Sequence, residues 1–140
     1  MKNDELIKLT AENELMKFLG VKVEVAEADR VVLSMEVTTK VHQYVGIMNG
    51  GVSLYLCETA ASIGVVMGSD LTKVTPVGIE INANHLRAVS KGVIKVEATP
   101  LYAGRTMSVW SIEIRDAREK LVCTSRCSIL LRRGGAFAAE

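Results

Sequence analysis

The sequence predicts an α+β domain in which a six-stranded antiparallel sheet wraps around one long buried helix. Residues 52–67 are apolar on almost every side of a helix except at one acid, Glu58, so this helix is expected inside the domain. Two strand-like runs of alternating apolar residues precede it, and four follow it with short connections. A helix that must be covered on all sides is most simply wrapped by these strands.

The segment before the central helix predicts a helix and a hairpin. Residues 3–19 carry leucines and Phe18 at near-helical spacing, and Gly20 suits the end of a helix. Residues 21–25 alternate valines with charged side chains, which is typical of a half-buried strand. A polar turn at residues 27–30 leads into a second alternating run, residues 31–37, so the two strands are predicted to pair.

After the central helix, a polar loop ending at Pro76 leads to four more strands. The predicted strands cover residues 79–85, 93–101, 110–115 and 121–131. In the first of them, alternation places Ile79, Ile81 and Ala83 on one face with His85. The whole chain, residues 1–140, is predicted to be one domain, with residues 133–140 as a frayed tail.

Composition excludes several classes of protein. About half of the 140 residues are apolar, which argues against disorder, and a net charge of +1 gives no general case for a nucleic-acid partner. No uninterrupted apolar run is long enough for a bilayer, and the charged N-terminus lacks a signal core, so we expect a soluble, cytoplasmic protein without membrane contact.

The three cysteines and two histidines predict neither a disulfide nor a metal site. Cys123 and Cys127 fall on one face of a predicted strand, roughly 13 Å apart, which is too far for a disulfide bond. Cys57 lies in the central helix, and all three are expected to be reduced core residues. His42 and His85 belong to no recognisable ligand set, so we expect no metal and no other cofactor.

The start of the central helix and its single acid together suggest acyl chemistry. Gly50 and Gly51 leave backbone N–H groups bare at the helix start, where the helix dipole favours a developing negative charge. Glu58, about two turns further on, is a carboxylate in apolar surroundings, which costs free energy unless it is paired, hydrated or used. The structural alternatives are a tight helix start for the glycines and a paired buried acid for Glu58.

Four stretches of the chain resemble the hotdog-fold acyl-CoA thioesterases. These are QYVGIMNGG at residues 43–51, ETAAS at residues 58–62, VGIEINANHLR at residues 77–87, and residues 104–114, which include GRT and VWSIEI. Their mutual spacings match as well. The chain looks most similar to the aromatic branch, which includes 4-hydroxybenzoyl-CoA, 1,4-dihydroxy-2-naphthoyl-CoA and phenylacetate-pathway thioesterases, and the likeness extends from about Gly20 to Leu131.

The resemblance implies a role for each matching residue. Glu58 matches the carboxylate that attacks the thioester or activates water, and Gln43 matches a glutamine that helps to hold the substrate. Gly50 matches the glycine whose N–H polarises the thioester carbonyl, and Ser62 matches an assisting hydroxyl. The implied activity is hydrolysis of an aromatic or medium-size acyl-CoA by a homo-oligomer, with a tetramer implied by the family.

One residue departs from the pattern of this branch. Asn49 stands where a histidine usually precedes the glycine pair, and an amide can donate a hydrogen bond but cannot relay a proton at neutral pH. Asn49 is kept among the predicted catalytic residues. The departure motivates an alternative, a hotdog protein that binds acyl-CoA or another acyl ligand without hydrolysing it. A hydratase on the same fold is weaker, since no paired acid and histidine suit that chemistry.

Spacing alone requires two chains if these groups act together. Glu58 lies eight residues beyond Gly50, roughly 12 Å along one helix, so one carbonyl cannot contact both. Two central helices running antiparallel about a twofold axis would bring the glycines of one toward the acid of the other, so at least a dimer is predicted. A helical wheel places one flank of the helix toward the partner and the substrate: Gly51, Leu54, Glu58, Ser62 and Val65. The opposite flank is predicted to face the sheet: Val52, Leu56, Ala60, Ile63 and Met67.

Five further residues are predicted to contact substrate. Gly51 and His85 are expected at the pocket, and for His85 a core or pocket-lining role is favoured over a catalytic one. Arg87, Lys91 and Arg105 are cations near predicted turns that could meet the phosphates of coenzyme A, and solvated surface charges are the alternative.

Overall fold

A computed structural model gives the architecture of the protein and describes residues 3–135. In chain order the elements are α1 (Asn3–Glu12), α2 (Glu14–Leu19), β1 (Lys22–Ala26), β2 (Val31–Val37), a 3₁₀ helix (Thr39–Val41), α3 (Gly50–Met67), β3 (Val74–His85), β4 (Gly92–Ala103), β5 (Met107–Arg115) and β6 (Leu121–Arg133). The strands form one antiparallel sheet in the order β1-β2-β4-β5-β6-β3. The helix α3 contacts all six strands, which confirms the predicted arrangement.

The core lies between α3 and the inner face of the sheet. Leu56, Ala60 and Ile63 of α3 are buried there, as the helical wheel predicts. Val65 was predicted on the opposite flank but is also buried, because the six strands cover more than one face of the helix. Gly64 lets α3 approach β5, since a methyl group at this position would overlap the Trp110 ring.

The long, apolar helix α3 packs inside the protein. Its 18 residues are long and apolar enough for a membrane span by length and hydropathy alone. Leu56, Cys57 and Ala60 nevertheless have no exposed surface, because they pack inside the protein. An apolar helix of this kind is therefore the core helix of the domain.

The N-terminal helix is divided at Asn13. Its backbone is extended there, with φ −69° and ψ 117°, and its side chain accepts a hydrogen bond from the N–H of Met16. Asparagine competes with the helix backbone in this way and caps the next helix. The chain therefore forms two short helices, α1 and α2, where the periodicity predicted one.

The strand β3 lies at one edge of the sheet and differs from its prediction. It begins at Val74 and includes Pro76, which an edge strand tolerates because one side of its backbone needs no partner. Its pairing with β6 shifts between Gly78 and Glu80, so Ile79 is the extra residue of a bulge and is 52% exposed. The prediction that Ile79 shares a face with Ile81 is therefore wrong.

The end of the chain is partly described. The strand β6 extends through Arg133, and the N–H of Gly134 donates to the Lys73 carbonyl at 3.0 Å. The carbonyl of Gly134 accepts from the Thr75 hydroxyl at 2.7 Å. The strand therefore continues into the segment predicted as a frayed tail, and residues 136–140 of that segment lie outside the described residues.

Candidate active site

The loop before α3 positions the first residues of that helix. The N–H of Gly46 donates to the Gln43 carbonyl at 3.0 Å, and Gly46 has a φ of 82°, which glycine adopts without strain. At the end of the loop the Asn49 side chain accepts from the N–H of Gly51 at 2.7 Å and so caps α3. Among the hydrogen bonds of the described residues, none has the N–H of Gly50 as donor. Of the two adjacent glycine amides, that of Gly50 is the one left bare, at the positive end of the helix dipole.

A cavity of about 370 Å³ lies beside this bare amide. Gln43, Gly50, His85 and Arg87 line it together, so the structure brings four predicted site residues into one place. The imidazole of His85 lies against Gly50, because a methyl group at that glycine would be 2.9 Å from Nε2. The side chain of Gln43 accepts the N–H of Val45 in its own loop. The cavity therefore offers amide and imidazole donors for an anion or a polarised carbonyl.

Glu58 lies in a different cavity of about 400 Å³, between α3 and the N-terminal helices. Ser62 lines the same cavity, together with apolar side chains that include Leu6, Met16 and Ile63. The carboxylate of Glu58 packs against Gly78 of β3, where a methyl group would lie 3.2 Å from its carboxyl carbon. The helix α3 therefore presents an acid next to a mainly apolar space.

The negative charge of Glu58 affects the pKa of a neighbouring thiol, that of Cys127. Burial and the negative charges of Glu58 and Glu80 raise the pKa of Cys127 from 9.0 to about 11. The pKa of the Cys57 thiol is also raised, chiefly by its hydrogen bond with Cys123 and by burial. Cys57, Cys123 and Cys127 are all free and buried, which confirms the expectation of three unpaired core cysteines.

The predicted site residues of one chain therefore fall into separate groups. Gln43, Gly50, His85 and Arg87 share the first cavity, whereas Glu58 and Ser62 share the second. Glu58 lies eight positions beyond Gly50 on one helix, roughly 12 Å along its axis.

The predicted cations divide between the two ends of the sheet. Lys91 lines a third cleft with Arg87. Arg105 lies in the β4–β5 turn, at the end of the sheet opposite the β3–β4 connection that carries Lys91. Of the three predicted phosphate contacts, Arg87 and Lys91 are therefore neighbours within one chain, and Arg105 is not.

Two residues of the site were not predicted from the sequence. Gly78 provides the space that the Glu58 carboxylate occupies, and an isolated glycine inside a strand pattern is a signal for such a close approach. Ser53 is 2% exposed and lines the cavity beside Gly50. No periodic signal separates Ser53 from an ordinary helix residue.

Comparison with known proteins identifies the family of this chain. The thioesterase superfamily matches residues 45–123, a segment that includes both glycines, Glu58 and His85. The chain belongs to the thioesterase superfamily. It is 40% identical over 119 residues to a 1,4-dihydroxy-2-naphthoyl-CoA hydrolase of Listeria monocytogenes, covering 85% of this chain and 96% of that protein. It is also 37% identical over 125 residues to the proofreading thioesterase EntH of Cronobacter turicensis, covering 89% and 90% of the two chains.

A solved structure of a thioesterase superposes on nearly the whole chain. A mutant of the thioesterase PA1618 from Pseudomonas aeruginosa matches with a TM-score of 0.88 and 28% identity, covering 95% of this chain and 96% of that one. The predicted hotdog fold is therefore confirmed, and this member of the thioesterase superfamily is a thioester hydrolase.

Proposed function

We propose that this thioesterase hydrolyses an aromatic or medium-size acyl-CoA at a site shared between two subunits. Glu58 of one subunit acts on a thioester carbonyl whose oxygen accepts the Gly50 N–H of the other. The observation that carries the proposal is that these two groups line different cavities of one chain, on a single helix. Two copies of α3 running antiparallel would bring the two cavities together.

The surface around β3 supports self-association. The strand β3 is an edge, so one side of its backbone has no neighbouring strand within the sheet. Val77 and Ile79 on it are 41% and 52% exposed, and Tyr44 in the loop before α3 is 99% exposed. Exposed apolar side chains beside an open strand edge favour pairing with another copy. The assembly we propose is a homodimer as the minimal active unit and a homotetramer as the complete enzyme.

The two cavities suggest which part of the substrate each subunit holds. The space beside Glu58 has a mainly apolar surface and fits the acyl group, whereas the donors beside Gly50 fit the carbonyl oxygen and the polar arm of the thiol. Leu6, Met16, Tyr55, Ile63 and Val66 would enclose the acyl group. Ser62, on the same flank as Glu58, would hold a water molecule or the acid.

Glu58 has two chemical routes to hydrolysis. As a nucleophile, its carboxylate attacks the carbonyl carbon, the carbon–sulfur bond breaks, and coenzyme A leaves as a thiolate before water hydrolyses the anhydride. As a general base, it takes a proton from water, which attacks the same carbon; the carbon–sulfur bond then breaks, and coenzyme A leaves as a thiolate that takes up the proton. In both routes negative charge develops on the carbonyl oxygen, and the Gly50 amide at the helix start stabilises it. Asn49 acts as the cap that keeps this amide in place.

A subunit-mixing experiment tests the shared site. Glu58→Ala is expected to lower kcat for benzoyl-CoA by about 100-fold or more, since it removes the reacting carboxylate. Gly50→Ala keeps its backbone N–H, but its methyl group would lie 2.9 Å from Nε2 of His85 and displace the amide, so we expect a loss of about 100-fold here too. Mixed and refolded together, they form dimers with one intact site and one doubly mutated site. Activity should then recover to a sizeable fraction of the wild-type value, measured as thiol release.

The control is each variant refolded with itself. Absence of recovery in the mixture, although mixed dimers are detected by mass, would show that the two residues do not act across subunits.

A panel of aromatic and aliphatic acyl-CoAs assayed with the wild type then identifies the preferred acyl group. The unpaired buried cysteines suit a reducing compartment, and we place the enzyme in the cytoplasm.

A further inference from the structure

Ser53, in the first turn of α3, carries a hydroxyl that has no hydrogen-bond partner in the fold. Among the hydrogen bonds of residues 3–135, none has the Ser53 Oγ as donor or acceptor. A serine within a helix commonly donates to the carbonyl four residues earlier. For Ser53 this is the Asn49 carbonyl, which instead accepts the N–H of Val52 at 3.1 Å and the N–H of Ser53 at 3.4 Å.

The Ser53 hydroxyl faces the cavity beside Gly50. In the part of the chain that the structure describes, every side-chain N or O atom that is enclosed from solvent has a hydrogen-bond partner. The unpartnered Ser53 Oγ is therefore open to solvent, although the residue as a whole is only 2% exposed. Ser53 lines the cavity of about 370 Å³ beside Gly50. We conclude that the accessible part of this side chain is its hydroxyl and that it opens into this cavity.

Helix geometry places this hydroxyl close to the bare Gly50 amide. Ser53 lies three positions beyond Gly50 on α3, and residues at this spacing are neighbours on one face, with Cβ positions about 5–6 Å apart. The Cα–Cβ bonds of a helix tilt toward its N-terminus, so a side chain covers the turn before its own Cα. The Ser53 hydroxyl is therefore directed back toward Gly50. Two donors at about this separation can both lie within about 3 Å of one oxygen atom.

We propose that the Ser53 hydroxyl is a second hydrogen-bond donor to the thioester carbonyl oxygen, beside the Gly50 N–H. The proposal rests on the proposed function, because it takes the Gly50 amide as the contact of that oxygen. As negative charge develops on the oxygen, the hydroxyl donates to it and keeps its own proton. A donor that is held in place before the reaction needs no reorganisation when the charge develops, and burial holds the Ser53 side chain in this way.

Kinetics of Ser53→Ala distinguish a carbonyl contact from a contact with the thiol arm. The kcat for benzoyl-CoA should fall by about 10-fold to 100-fold with little change in KM, because the lost hydrogen bond is strongest in the transition state. The kcat/KM for S-benzoyl-N-acetylcysteamine, which has the same thioester and only a short thiol arm, should fall by the same factor. A rise in KM alone, or a loss only with benzoyl-CoA, would place the hydroxyl on the thiol arm and overturn the proposal.

Stability separates this role from a structural one. Ser53→Ala should leave the urea midpoint unchanged or raise it, because no partner in the fold is lost and alanine favours a helix more than serine does. Ser125→Ala is the matched control, since Ser125 is 6% exposed and its hydroxyl donates to the Asn82 carbonyl at 2.8 Å. The control should lower the urea midpoint and leave kcat unchanged. A lowered midpoint in Ser53→Ala, with no larger loss of kcat than in the control, would overturn the proposal.

A measurement without turnover keeps this proposal apart from the proposed function. S-phenacyl-coenzyme A is a thioether ketone that a hydrolase does not cleave, and a ¹³C label at its ketone carbon marks the carbonyl band in infrared difference spectra. Hydrogen bonds to the ketone oxygen lower its stretching frequency, so the band should shift to higher frequency in Ser53→Ala and stay in place in Ser125→Ala. An unchanged band in Ser53→Ala would overturn the proposal. If the wild type hydrolyses no thioester, the proposed function fails while this band still decides the role of Ser53.

Discussion

Substitution of Gly78 tests how the fold positions the Glu58 carboxylate. A methyl group at Gly78 would lie 3.2 Å from the carboxyl carbon of Glu58, and closer still to Oε1, whereas relaxed carbon–carbon contacts are about 3.5–4.0 Å. The Glu58 carboxylate must therefore move by roughly 1 Å in Gly78→Ala. A displacement of about 1 Å at a reacting group can cost up to about 100-fold in rate, so with Glu58 as the proposed reacting group we expect kcat for benzoyl-CoA to fall by between about 10-fold and 100-fold.

The free energy of unfolding should change much less than the activity. The atoms that must move are at the end of a flexible side chain, and Gly78 has no positive φ. Alanine also loses less backbone entropy than glycine in a strand, by about 0.5–1 kcal/mol. Urea denaturation should therefore show Gly78→Ala within about 1 kcal/mol of wild type.

A double-mutant cycle decides whether the effect acts through Glu58. In a Glu58→Gln background the added methyl should lower kcat little further, because the carboxylate to which we assign the chemistry is already absent. Full wild-type kcat in Gly78→Ala would refute the reasoning. So would a loss of the same factor in both backgrounds, since the methyl would then act on something other than the Glu58 carboxylate.

Three further outcomes are expected. Gly64→Ala should destabilise the protein by about 1–3 kcal/mol in thermal denaturation, because its methyl meets the buried Trp110 ring; stabilisation by about 1 kcal/mol, as for an exposed helical glycine, would contradict this contact. Asn49→Ala should cost about 1 kcal/mol in urea denaturation by removing the cap on Gly51, and Asn49→Asp should cost less. The wild type should lose stability between pH 9 and 11, by up to about 1.4 kcal/mol per pH unit. The cause is that folded Cys127, with its pKa raised to about 11, keeps a proton that the unfolded chain releases, and urea midpoints of Cys127→Ala should show a shallower decline.

Local patterns predicted the elements whose signal lies within a few residues. The hairpin of β1 and β2 follows from alternating valines around a polar turn, and both strands lie within one residue of their predicted bounds. The apolar helix with one acid predicted α3 and its position inside the sheet. The prediction of one N-terminal helix was wrong because periodicity does not register a side chain such as Asn13, which bonds to the backbone and restarts the helix.

The bulge in β3 could not be predicted from the alternation of apolar residues. Alternation assumes an unbroken pleat, but the shift at Ile79 changes which residues of β3 point toward α3. The shift places Gly78 on the inner side, opposite Ile129, and Ile81 opposite Cys127. The contact between Gly78 and the Glu58 carboxylate therefore depends on a register that only pairing with β6 fixes.

The sequence by itself determined the elements, the buried helix, the acid within it and the glycines at its start, because these are properties of residues near each other in the chain. Only the tertiary structure decided that Gly50 meets His85, that Glu58 rests on Gly78, and that Gln43 and Arg87 line one cavity. These neighbours come from segments separated by tens of residues. Strand order, a bulge and the close packing of a helix on a sheet bring them together, and no local period encodes those contacts.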